Sequence, residues 1–402
     1  MHTRLIFFLL LAPIMAVNAF TTFAQVPPGY NSPRNRKKFD SLSACARAGK
    51  APCQLALGTI YFDVKNFDSA LKWLTKAAEA GDAEGQCKLG VMYEHGFGMR
   101  KNMMLAIKWL TQSAEQNNQD CQCRLGNLYE TELGAGHAYT EAMKWYRRAA
   151  DSGSELGQMN VARMFEAGIG TTAEYETPFV YFKKAAAQKN GYAASKLGWY
   201  YEHGLASVPD TALAVKWYRT SAELGDVSGE ANLGRMYYFG LGGLKVDYDE
   251  AARWFRKSAD GGNPQGQYIL AQIYESGAGS IKPNLDSALA LYRRAAENEH
   301  VNSQYKLGTF YETGVQVDKN DSVAANWYTR AMEKGSFKAA GKLGVMYWEG
   351  RGVPQDKDKA TRLLQAAARS GIEDSKQFMD KNGIQQAVPI EHKVMEHKHE
   401  HE

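Results

Sequence analysis

Cysteine, histidine and closely spaced glycine are the residues of this chain whose types and spacing could carry chemistry. Its five cysteines, Cys45, Cys53, Cys87, Cys121 and Cys123, all fall within residues 45–123. They are too few for a disulfide scaffold, and no histidine pair stands beside them at ligand spacing, so zinc is the weaker reading. Four histidines, His392, His397, His399 and His401, lie in a charged C-terminal stretch. That stretch reads as a solvated tail over 385–402, because nothing in it fixes a coordination geometry. Gly-x-Gly pairs such as Gly240-Leu241-Gly242 resemble phosphate loops. They follow helical segments rather than strands and recur along the chain, which makes them caps and not nucleotide sites.

The recurrence is the dominant feature of the chain. Leu-Gly falls at Leu57-Gly58, Leu89-Gly90, Leu125-Gly126, Leu197-Gly198, Leu233-Gly234, Leu307-Gly308 and Leu343-Gly344, with Val161-Ala162 and Leu270-Ala271 filling the gaps. Successive steps are 32, 36, 36, 36, 36, 37, 37 and 36 residues. An aromatic follows three residues later each time, from Tyr61 to Tyr347. Ala-x-x-Trp comes next, as at Ala70…Trp73, Ala142…Trp145 and Ala251…Trp254, and six of the eight tryptophans keep that register. Each repeat is therefore two helices: apolar residues at i, i+3 and i+4 mark the first. Glycines such as Gly96, Gly204 and Gly277 end that helix. Asn66, Asn102, Asp210, Asp247, Asn284, Asn320 and Asp356 are placed to cap the second.

Five residues before the Leu-Gly glycine every repeat is small, from Cys53 and Gly85 to Ser303 and Ala339. Small residues there let the first helix approach its neighbour closely. A single helix pair cannot bury its own apolar face, whereas nine in a row share a core. The expected fold is an all-α, right-handed α/α superhelical solenoid of nine repeats over 51–371. Stacking about 10 Å apart gives a path of about 90 Å and a monomer in dilute solution. A lone second helix over 38–50 precedes the repeats, after a linker over 25–37, and a capping helix over 372–384 follows them.

At these residues the chain resembles the Sel-one-like repeat family, relatives of the tetratricopeptide repeat. Leu-Gly-x-x-Tyr-x-x-Gly-x-Gly followed by Ala-x-x-Trp-Tyr-x-x-Ala-Ala carries the resemblance, roughly from Ala51 to Gly371. The fourth repeat departs most, with Val161-Ala162 and Pro178, and the third displaces its glycines to Gly134 and Gly136. In the family's secreted, cysteine-rich branch the spacing of Cys45 and Cys53 resembles an inter-helix disulfide, so the resemblance implies that bridge. Two unpaired buried thiols are the alternative. Cys87 and Cys123 occupy the same position in adjacent repeats, so a second bridge from Cys87 would leave one thiol over.

The same branch has been labelled penicillin-binding or β-lactamase-like, chemistry that uses Ser-x-x-Lys. That pattern occurs at Ser69…Lys72 and Ser303…Lys306. Neither Ser-Asp-Asn nor Lys-Thr-Gly accompanies it, so no catalytic residue is assigned and no cofactor is expected. The family resemblance implies instead an adaptor that binds a protein or peptide. The position after the Leu-Gly glycine lies opposite the core stripe and varies freely, with Arg163, Trp199 and Arg235 in consecutive repeats. Tyr268 and Tyr305 share that side, and Trp348 is the other tryptophan off the repeat register. These six are the candidate partner-binding residues.

Composition agrees with this reading. The 402 residues are 44% apolar and 23% charged, as in a folded, water-soluble chain. Interleaved charges, 48 basic against 44 acidic, give no case for nucleic acid or an anionic membrane as main partner. Arg4 precedes an apolar run from Leu5 to Val17, too short to span a bilayer. It reads as a signal peptide over 1–24, cut after Ala24, leaving a mature chain with no transmembrane anchor in the periplasm or outside the cell.

Overall fold

The computed structural model describes residues 27, 29–30, 32–132 and 137–385. The expected signal peptide, the displaced Gly134 and Gly136, and residues 386–402 of the expected tail lie outside them. All regular structure among the described residues is helical. It begins with α1 (Pro33–Arg47), α2 (Ala51–Asp63), α3 (Phe67–Glu79), α4 (Ala83–His95), α5 (Met103–Glu115), α6 (Gln119–Thr131) and α7 (His137–Asp151). Then come α8 (Glu155–Ala167), α9 (Glu176–Ala187), α10 (Gly191–His203), α11 (Thr211–Glu223), α12 (Val227–Phe239), α13 (Tyr248–Asp260) and α14 (Pro264–Ser276). The chain finishes with α15 (Leu285–Glu297), α16 (Val301–Thr313), α17 (Asp321–Glu333), α18 (Phe337–Glu349), α19 (Lys357–Arg369) and α20 (Glu373–Lys381). From α2 to α19 the even-numbered helix opens a repeat and the odd-numbered one closes it.

All seven expected Asn and Asp caps are in place. Asp210, for example, accepts the Leu213 N–H at 2.9 Å, and Asn284 accepts that of Ser287 at 2.9 Å. Gly204 ends α10 in the left-handed conformation, φ 65° and ψ 37°, which a Cβ would oppose. Gly277 departs: φ is 77° but ψ is 147°, and the chain turns instead through the Ala278–Ile281 bridge toward Pro283. The fourth repeat lacks a side-chain cap, since Tyr175 stands at the N-cap of α9. There Glu174 accepts the Thr177 hydroxyl, and Pro178 is buried in the first turn.

The lone helix before the repeats starts earlier than expected. Ser32 accepts the Asn35 N–H and Pro33 occupies the first turn, so α1 begins inside the expected linker. Ser followed by Pro is a helix-start signal that the repeat register did not include. The terminal α20 falls within the expected capping segment.

Two small residues on each opening helix set the packing. A Cβ on Gly198 would lie 2.6 Å from the Tyr218 ring, and one on Gly308 2.5 Å from Tyr328, so the Leu-Gly glycine seats the opening helix on its own closing helix. Five residues earlier, a Cβ on Gly157 would meet the Ala150 nitrogen at 2.6 Å, and one on Gly266 the Ser258 Oγ at 2.6 Å. That second contact seats the helix on the preceding repeat. Tyr61, Tyr146, Tyr218, Tyr292 and Tyr328 fill the layers, all fully buried.

The described chain forms two compact bodies, one through Gly157 and one from Gln158. The first holds four of the five cysteines in pairs: Cys45–Cys53, S–S 1.90 Å, and Cys87–Cys121, S–S 2.05 Å. The second contains a large apolar cluster centred on Phe255, Tyr292 and Phe310.

Candidate functional site

Four residues after the Leu-Gly position, six repeats carry a glutamate: Glu94, Glu130, Glu166, Glu202, Glu275 and Glu312. The sequence reading did not single it out, although it directly follows the constant aromatic. In four of them the buried closing-helix tyrosine of the same repeat donates to it, as Tyr218 does to Glu202 at 2.8 Å and Tyr292 to Glu275 at 2.6 Å, while the second repeat has Leu110 in its place. In the fourth repeat Phe182 replaces that tyrosine, and Tyr200 of the next repeat donates to Glu166 at 2.8 Å. A cation from the following repeat completes the group: Arg124 on Glu94, Lys196 on Glu166, Arg235 on Glu202, Lys306 on Glu275 and Lys342 on Glu312.

Burial and then the adjacent carboxylates push the hydroxyls of Tyr200 and Tyr292 far above the usual phenol range, so each remains a donor. Burial opposes charge on Glu312, but hydrogen bonds from Tyr328 and Arg351 and the Lys342 charge hold its carboxyl below the usual range.

This ladder adds a structural role to the one expected of Arg235. Its guanidinium lies 2.6 Å from Glu202 and helps to link two repeats while remaining part-exposed on the outer face. Trp348 also has a structural role. It packs edge-on against Phe378 of α20, with Lys357 over its ring, and so anchors the terminal helix. Tyr268 and Tyr305 are half-buried, their rings packed at a tilt against His300 and Tyr328 respectively. The structure leaves Arg163 exposed on α8 and Trp199 exposed on α10.

Around Trp199 the face of α10 is organised. Tyr192, Lys196, Trp199 and His203 follow one another at helical spacing on its solvent side. Tyr192 is 48% and Trp199 36% exposed, unusual for rings of that size. The Lys196 ammonium stands over both rings, 5.8 Å from Tyr192 and 5.4 Å from Trp199. The His203 ring lies 5.0 Å from the indole, and its Nδ1 is hydrogen-bonded to the Trp199 carbonyl oxygen.

The Ser-x-x-Lys residues serve other ends. Ser303 is fully buried and bonded to His300 at the start of α16, while Lys306 turns to Glu275. Ser69 is capped by Asn66, and Lys72 lies over Trp73. Cys123, the remaining thiol, is buried 3.5 Å from the Ser154 hydroxyl, and burial pushes its thiol up. Among the described residues no cluster of three metal-ligating side chains forms, and no helix is long and apolar enough to cross a membrane.

Nine consecutive helix pairs whose recurring frame is spent on packing, with variation on one outer face, define an α/α-solenoid scaffold. The Sel1 repeat model matches nine times, at residues 51–82, 83–118, 119–154, 156–190, 191–226, 227–263, 264–300, 301–336 and 338–372. The chain belongs to the Sel1 repeat family. It is similar to c5321, a protective antigen of uropathogenic Escherichia coli strains with the same fold, at 29% identity and TM-score 0.65 over 87% of this chain and 84% of that one. It is also similar to a Sel1 repeat protein from Oxalobacter formigenes, at 28% identity and TM-score 0.54 over 60% of this chain and 96% of that one. No curated protein sequence matches the chain as a relative. Sel1 repeats form scaffolds for protein–protein interaction, and that is the class of function the family gives this chain.

Proposed function

We propose that this protein is an exported, non-enzymatic Sel1 repeat adaptor that engages a protein or peptide partner in envelope assembly, secretion or host interaction. The observation that carries the reading is the exposed Trp199 on α10, at a position where other repeats hold Thr59, Asn127 or Gln272. The repeat does not need an indole there, and a large ring left in water offers about 2–3 kcal/mol on burial by a partner. Paired cysteines and the N-terminal apolar run support an exported chain. So does the likeness to a protective antigen.

The test is affinity capture from the native envelope with wild-type and Trp199→Ala protein, followed by affinity measurement on the captured partner. Binding is expected to weaken at least about tenfold while the melting temperature stays nearly unchanged. Unfolding by the substitution, with binding intact in the folded fraction, would make Trp199 core and refute the reading. N-terminal sequencing of the native protein is expected to begin after Ala24. The Ser-x-x-Lys geometry does not favour hydrolase chemistry, because Ser303 and Lys306 are committed to separate partners.

A further inference from the structure

Charge on the solvent side of the opening helices is segregated by depth. From Gln158 onward, the outward positions lie six and two residues before the Leu-Gly glycine and one and five after it. Six of them carry formal cations, namely Arg163, Lys196, Arg235, Lys306, Lys338 and Lys342, and a single one, Glu349, carries a carboxylate. Three of the balancing glutamates sit beneath their partners: Glu166, Glu202 and Glu312 are 16%, 15% and 13% exposed, against 26%, 30% and 38% for Lys196, Arg235 and Lys342, while Glu275 is level with Lys306. A partner approaching this face meets ammonium and guanidinium groups first. The chain as a whole, at a net charge of +4, does not reveal this layering.

Among the described residues, only α10 has two exposed rings standing among those cations. Tyr192 and Trp199 are seven residues apart on one face, a rise of about 10 Å along the helix. Side chains three apart in a polyproline II segment point the same way at a spacing of about 9 Å. One such segment could therefore seat an apolar side chain on each ring, with its intervening residues facing Lys196 from above. Lys196 is held in position by Glu166 at 2.9 Å, so it offers an oriented cation without losing its anchor.

From these observations we infer that the α10 face takes an extended acidic segment of a partner protein, apolar at every third residue and carboxylate-bearing between. This rests on the adaptor reading and names the chemistry of its partner.

The probe is a fluorescein-labelled dodecapeptide of repeating Leu-Glu-Pro, titrated into the full chain by fluorescence anisotropy. Its Leu-Lys-Pro counterpart and an oligothymidine of equal length serve as comparisons. The Glu peptide is expected to bind, to weaken as ionic strength rises, and to lose at least about tenfold in affinity in Y192A/W199A. The ring-retaining Y192F/W199F is expected to restore most of that affinity and guards against misfolding. Met104→Ala, 84% exposed on α5, is expected to have no effect.

Binding of the Lys peptide in preference, still lost in Y192A/W199A, would overturn the acidic partner but keep the face. Stronger binding of oligothymidine would overturn the protein partner. Binding of no probe, or binding unchanged in Y192A/W199A, would overturn the proposal, and only the unchanged case removes the face as well.

Discussion

Four residues before the Leu-Gly position, a buried glutamine recurs. Gln54, Gln86, Gln122, Gln267 and Gln304 each donate to the carbonyl oxygen eight residues earlier, at 2.9–3.3 Å, closing the end of the preceding helix. Glu230 occupies that position in the sixth repeat, 8% exposed, and burial holds its carboxyl above the usual range against the pull of Lys257. A carboxyl whose pKa is raised on folding favours the folded state at low pH, and that contribution is lost as pH rises through the folded value. Glu230→Gln is therefore expected to stabilise the protein near neutrality by about 1 kcal/mol, the worth of one hydrogen bond, and to gain nothing at acid pH. Urea midpoints measured across that pH range would show it. Arg235→Ala is expected to cost about 1–2 kcal/mol by leaving Glu202 without its cation, whereas Trp199→Ala is nearly neutral. Equal, negligible effects would mean that the ladder does not hold the repeats.

Helices and their seats were largely legible in the sequence, because glycine, alanine and capping residues act locally and recur. Gly198 against Tyr218 and Asp210 over Leu213 follow from spacing alone. The ladder was not, since it joins Glu202 to Arg235 across two repeats, and Arg235 stands one residue after the Leu-Gly glycine whereas Lys196 and Lys306 stand two before it. An outward residue can thus belong to the frame, and so does Trp348, which stands in the glutamate column and packs on Phe378. Cysteine pairing needed the structure too, because Cys121 and Cys123 differ by one helical offset and only Cys121 meets Cys87. Peptide mass mapping without reductant is expected to find Cys45–Cys53 and Cys87–Cys121 linked. Cys123 is expected to alkylate only after denaturation, and a Cys87–Cys123 peptide would contradict this pairing. By loop entropy the two bridges contribute about 2.5 and 3.8 kcal/mol.

Over the whole molecule, those bridges belong to the body that ends at Gly157, while the body from Gln158 relies on packing and the ladder. Repeat proteins sum local and neighbour terms, so the two need not melt together. Calorimetry with reductant is expected to lower one transition by several degrees and leave a second in place; a single transition shifting intact would show full coupling.

The ladder also bears on how such a chain can grow or shrink by whole modules. Glu94, Glu166, Glu202, Glu275 and Glu312 each find a cation in the module that follows, so such a module is completed only by its successor. Excising Gly191–Asp226 would bring Glu166 against the module carrying Arg235, and a charge partner would survive. Excising Val227–Asn263 would bring Glu202 against Ile269, because the sixth module has Tyr238 where six of the nine have glutamate and its successor dispenses with the cation. The sixth and seventh modules are therefore matched to each other, and recombination in an ancestral gene could copy or drop them only as a pair.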